Sequence, residues 1–170
     1  SASHAYHEKP DFAYTKFNTA PSQPYSLVQY KADAATTLSN GAWTDEATVN
    51  LVSRVIDYDT SDSIAVYLEL IANNETFSTG TDPTLFNACA STTAWGACGT
   101  NIWKVASSSL GDYSVVPLVA TATITSLDNS TIGYKWQMIA CDNQDNCSAW
   151  VQYNAVTPNF YVDTVAPSAP

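Results

Sequence analysis

Alternation of apolar and polar positions dominates the chain. Over residues 47–58, Val49, Leu51, Ser53, Val55 and Asp57 alternate with Asn50, Val52, Arg54, Ile56 and Tyr58, the period-2 signature of a strand. An acid-rich turn follows, Asp57-Tyr58-Asp59-Thr60-Ser61-Asp62, and then a run over 64–72 rich in β-branched and aromatic residues. Further strands are expected over 25–31, 102–106, 132–141 and 149–153, with 159–163 continuing the last. Residues 113–126 read as a bulged or edge strand, because Pro117 cannot donate to a ladder. Residues 73–97, holding Gly80 and Pro83, show no periodicity and read as a long loop or insertion. About seven strands with turn signals between them, and no helix longer than two turns, predict an all-β sandwich.

The composition supports a folded chain rather than a disordered one. Of 170 residues, 45% are hydrophobic and 13% charged, despite a net charge of −10, and this is enough apolar material for a core. The six basic residues are scattered singly, which excludes a nucleic-acid footprint. The acidity favours solubility and divalent cations. No stretch approaches the roughly 18 apolar residues that cross a bilayer. No charged-then-apolar leader stands first, so any secretion signal is expected upstream or already removed.

Four cysteines form two close pairs, Cys89 with Cys98 and Cys141 with Cys147. Three connectivities are open to four cysteines; local pairing is the simplest, since each pair brackets a turn. Zinc is the competing reading, but the spacings are wide and neither histidine lies near. Disulfides imply an oxidising compartment, hence a secreted or cell-surface protein. Asn74, Asn129 and Asn146 each begin a glycosylation acceptor pattern, which matters only in a host that glycosylates.

The two ends echo one another. Pro10-Asp11-Phe12 precedes Thr19-Ala20-Pro21-Ser22-Gln23-Pro24, and Pro158-Asn159-Phe160 precedes Thr164-Val165-Ala166-Pro167-Ser168-Ala169-Pro170. Proline fixes φ and lacks a donor, so both segments leave a sheet and stiffen a link. The pattern divides the chain into an arm (1–24) like the tail of a preceding module, a sandwich (25–163) with a disulfide-bearing insertion near 73–100, and a proline-rich exit (164–170). Chance similarity in a Pro/Ser-rich composition is the plainer alternative to a repeat boundary.

Leu127 followed by Tyr134-x-Trp136-x-Met138-x-Ala140 resembles the sixth-strand signature of fibronectin type III and related bacterial Ig-like modules. Asp142-x5-Ser148-x-Trp150 and Phe160-x-Val162-Asp163-Thr164-x-Ala166-Pro167 are similar to module endings in tandem arrays of secreted bacterial surface proteins. Asn18-Thr19-Ala20-Pro21-Ser22, Gln29-Tyr30-Lys31, Gly41-x-Trp43-Thr44 and Val55-x-Asp57-x-Asp59 are similar to module beginnings. The resemblance implies an Ig-like sandwich in which the Tyr134 hydroxyl bonds to backbone near Leu127. It covers about 18–170, thinly over 73–112, and departs from the antibody pattern in lacking a Cys…Trp…Cys set. The residues themselves place Ile132, Tyr134, Trp136, Met138 and Ala140 on one strand face, facing the core.

Catalytic signals are sparse, and no enzyme is expected. His4 and His7 sit together in the arm as a weak metal pair or as solvated side chains, and no nucleophile elbow or phosphate loop is present. Asp57, Asp59 and Asp62 are the candidate metal site. Calcium takes six to eight oxygens, and closely spaced aspartates supply several; the plain alternative is that Asp favours turns by bonding its own backbone. Asp142 and Asp145 form a weaker second set. No other cofactor is expected. Trp95 and Trp103 are candidates for stacking on a carbohydrate, as part of a binding module of a larger secreted protein. The leading expectation is a structural or adhesive module that spaces or assembles head to tail into a surface appendage or filament. Its partners would be neighbouring modules, joined covalently or by strand addition through the arm. Phe12, Tyr14, Phe17, Phe160 and Val162 are the expected assembly residues.

Overall fold

The computed structural model describes residues 17–86, 88–89, 93–97 and 101–165. Among them the regular structure is strand throughout, apart from one 3₁₀ turn at Pro83–Leu85. The strands are β1 (Tyr25–Tyr30), β2 (Ala42–Thr44), β3 (Val49–Val55), β4 (Ile64–Ala72), β5 (Ile102–Ser107), β6 (Leu118–Ile124), β7 (Ser130–Asp142), β8 (Val151–Gln152) and β9 (Phe160–Val162). One sheet has the order β1-β3-β6; the other runs β2-β9-β7-β4-β5, with β8 alongside β7. The ladders are antiparallel except for β2 and β9, which run parallel. The strand expected over 113–126 is shorter: β6 begins only at Leu118, just after Pro117.

The period-2 pattern sets the two inner faces. Val49, Leu51, Ser53 and Val55 of β3 join Ala120, Ala122 and Ile124 of β6 on one side. Ile64, Val66, Leu68 and Leu70 of β4 meet them with Trp103, Tyr134, Trp136, Met138, Ala140, Phe160 and Val162 from the other. Ile132 departs from this face and is 50% exposed. The cause is a register shift between Ser130 and Tyr134, centred on Gly133 at φ +78°, since a bulge reverses the facing of residues before it. A Cβ at Gly133 would lie 2.6 Å from the Pro158 ring, so the bulge needs glycine.

A buried polar chain ties the sheets together. The Trp136 indole N–H donates to Gln29 Oε1 (3.0 Å), and Gln29 Nε2 donates to the Asn159 carbonyl (2.8 Å). The Asn159 side chain in turn accepts from the Trp136 backbone N–H (3.1 Å) and donates to Asn40 (3.1 Å). Gln29, Trp136 and Asn159 are wholly buried. As the resemblance implied, the Tyr134 hydroxyl donates to the Asp128 carbonyl (2.8 Å), beside buried Leu127. Burial drives that hydroxyl's pKa up to about 12.

Residues 73–86 lie across the outer face of the larger sheet. Glu69 there is buried yet well supplied: it accepts from the Ser78 N–H and hydroxyl and from Gln137 (2.6 Å). Trp150 donates to the Gly80 carbonyl (2.7 Å), and Phe86 packs on Tyr67 and Trp150. The irregular stretch therefore works as a strap.

Replacing Gln29 by Leu leaves the Trp136 indole N–H buried and unpaired, which costs roughly 1–3 kcal/mol. Urea denaturation should show that loss. Trp136→Phe should then cost less in the Gln29→Leu background than in the parent chain, because its hydrogen bond is already gone.

Candidate functional site

The strand ends define two poles. At one, β3, β5 and β7 finish while β1, β4 and β6 begin; at the other the same strands reverse roles. The first pole carries most of the buried acids. The β3 alternation continues past Val55 and turns Asp57 inward, 1% exposed. Asp59 and Asp62 follow in the β3–β4 loop, also buried, and one carboxylate oxygen from each of the three lies within 4.8 Å of the others.

Three elements hold this loop. The Asp57 N–H reaches the Tyr113 carbonyl (3.3 Å), the Gly111 N–H reaches the Asp62 carbonyl (3.1 Å), and Ser63 N–H donates to Asn143 (3.0 Å). Leading residues 17–24 cross the same pole. Thr19 gives its backbone N–H (2.7 Å) and its hydroxyl (2.9 Å) to Asp59 Oδ2, Asn18 donates to Asp142 (2.6 Å), and Ser22 bonds Ile56 through backbone and side chain. A cleft of about 160 Å³ opens here, lined by Asn18, Asp59, Ser61, Asp62 and Gln144.

The buried acids differ in how they are served. Asp142 accepts from the Gln144 and Asn146 N–H groups and from the Asn146 and Asn18 amides, and so organises its hairpin loop. Asp57 Oδ1 accepts from the Asp59 N–H (2.9 Å), but its Oδ2 is buried with no hydrogen-bond partner. Desolvation, reinforced by the charges of Asp59, Asp62 and Asp142, holds the Asp57 carboxyl above its ordinary range. Hydrogen bonding from Asp59 offsets this in part.

Comparison with family models, with curated proteins and with solved structures finds no match for this chain. The site is therefore read from its own residues.

The remaining sequence candidates fall in several places. Cys141 and Cys147 are bonded to each other across the hairpin. Cys89 is disulfide-bonded, and Cys98 lies outside the described residues. His4, His7, Phe12 and Tyr14 also lie outside them. Phe17 is exposed. Phe160 and Val162, expected at an assembly surface, are instead core: β9 is flanked by β2 and β7, and their side chains point between the sheets. Trp103 is likewise fully buried and offers no ring face to a sugar. Trp95 is half-buried, edge-on to Tyr134 at 5.1 Å and tilted against Trp103 at 6.3 Å. The exposed aromatic platform lies elsewhere, where Trp43, 52% exposed, stacks on Tyr161 at 4.5 Å. Trp43 is one of five tryptophans in the sequence that invite a sugar-stacking reading, but its pairing with Tyr161 arises only through the parallel β2–β9 pair.

A carboxyl with a raised folded-state pKa adds stability below its unfolded value, near pH ~4, and loses that contribution as pH climbs through its folded value. Asp57→Asn should therefore raise the melting midpoint of chelator-treated protein at pH 7 by a few degrees. The gain should shrink as the pH falls toward ~4; thermal melts across that range check both the sign and the window.

Proposed function

We propose that this chain is a non-catalytic, extracellular Ig-like module that sits in line in a surface structure and spaces or joins its neighbours head to tail. One observation carries the reading: the chain arrives and leaves at opposite poles. Asn18 and Thr19 bond at the Asp142 end of β7. The trailing segment bonds at the Ser130 end, through Asp163 N–H to Thr44 (2.9 Å) and Thr164 to Asn129 (2.9 Å). β7 is 13 residues long, which puts the attachment points roughly 40 Å apart at strand rise. The Tyr134–Asp128 bond and the two-sheet architecture support the Ig-like type. The Cys141–Cys147 bond is compatible with an oxidising, extracellular setting. Residues 18–22 bond to their own domain, which favours a covalent in-line mounting over donation of this stretch to a neighbour.

A second reading has its own observation. The Trp43–Tyr161 platform borders a cleft lined by Lys31, Asp45 and Asp163, a combination of ring face and polar groups suited to a carbohydrate. Loss of glycan retention on Trp43→Ala would identify that role.

Copies joined in tandem through their own ends should lengthen by a constant increment of roughly 40 Å each, read as maximum dimension in small-angle scattering. Arrays that fold back, with dimensions that stop growing after the second copy, would sink the in-line reading.

A further inference from the structure

We infer that Asp57, Asp59 and Asp62 form a calcium site that clamps the leading segment onto the domain. Acids gathered in a turn are not in themselves a site, since Asp serves turns by bonding its own backbone. The deciding group is Asp57 Oδ2: a carboxylate oxygen, buried, without a hydrogen-bond partner, in a side chain 1% exposed. Glu69 and Asp142 show what this fold does with a buried acid of purely structural use: both are fully supplied with donors. Asp57 is not, and the groups beside it are further carboxylates. A cation is the partner that would serve Asp57 Oδ2.

The dimensions select among cations. Calcium holds oxygens at about 2.3–2.6 Å, so opposite ligands stand up to ~5.2 Å apart; for magnesium, at about 2.0–2.1 Å, the limit is ~4.2 Å. Oxygens lying within 4.8 Å of one another suit the larger ion. Three carboxylates fall short of calcium's six to eight ligands, and the adjoining cleft brings Asn18, Ser61 and Gln144 to the same place, with water for the rest.

The second consequence lies in Asp59. The carboxylate that would hold the ion also takes both donors of Thr19. Ion binding fixes Asp59, and Asp59 fixes residues 18–19, so calcium occupancy and docking of the leading segment rise together. Only the meaning of this coupling, a joint that stiffens with calcium, rests on the in-line reading; the binding itself is a property of the single chain.

Chelator-stripped full chain, titrated with calcium chloride by calorimetry and thermal melting, tests the site. Calcium should raise the midpoint by several degrees, and magnesium at the same concentration far less. Asp57→Asn and Asp62→Asn should each weaken calcium binding at least tenfold, and amide exchange at Thr19 and Ser22 should slow when calcium is added. No heat and no midpoint change at millimolar calcium in the folded parent would overturn the site, as would an undiminished response in both variants. Binding with unchanged exchange at Thr19 and Ser22 would overturn the clamp. The parent titration stands even where a variant fails to fold. Failure here leaves the tandem-length measurement untouched, so the two readings fall separately.

Discussion

The hydrogen bond from the Trp136 indole to the Gln29 amide is the constraint around which the sandwich is arranged. Apolar side chains alone let two sheets slide, since burial is nearly indifferent to register. A buried indole N–H and a buried amide are not indifferent, because each loses heavily if its partner moves away. Gln29 stands opposite Leu51 in one sheet and Trp136 opposite Leu70 in the other, so this bond fixes how the sheets lie across one another. Asn159 extends the lock to β9 by bonding the Trp136 backbone. From that alignment follow the two poles, and with them the places where the chain arrives and leaves.

Charge is distributed by a related logic. The fold buries several acids, and the outer-sheet and hairpin examples are neutralised in effect by donors aimed at both oxygens. The polar loop set at the arriving end is different. There the strand phase drives Asp57 inward, and turn geometry draws Asp59 and Asp62 in behind it, at the spot where the leading segment crosses. The acids are thus gathered where residues 17–24 cross this pole. A buried acid with a raised pKa, set against the segment that crosses it, is a natural place for control by a ligand.

Much of this was legible from residues alone, and the failures have common causes. The β3 alternation gave the core face, because period-2 phase is local information, while Asp57 was read as part of an acid-rich turn and its burial was not foreseen. The family resemblance implied the Tyr134 hydroxyl bond, whereas the strand expected over 113–126 begins only at Leu118, after Pro117. Ile132 was misplaced because a single positive-φ glycine reverses the phase upstream of Tyr134. Phe160 and Val162 were given to an assembly surface because they lie near the proline-rich tail, and Trp103 to a sugar because a tryptophan offers a ring face; their burial depends on strands far away in sequence. The same holds for the Gln29–Trp136 bond, whose partners are 107 positions apart, and for the Trp43–Tyr161 stack. The acids were found as a cluster, but the unserved oxygen that singles out Asp57 is visible only once every donor around it has a position.

The parallel pairing of β2 with β9 carries a mechanical meaning. β9 runs toward the trailing pole, and its last residues lead straight into the outgoing chain. Tension applied through that chain pulls β9 along its own length. Its bonds to β2 on one flank and β7 on the other stand crosswise to the pull, so they are strained together instead of opening one by one like a zipper. Asp163 and Thr164 add further crosswise bonds just beyond the strand. Under such a pull the three residues of β9 would be loaded in shear, with the side chains of Phe160 and Val162 wholly buried in the core.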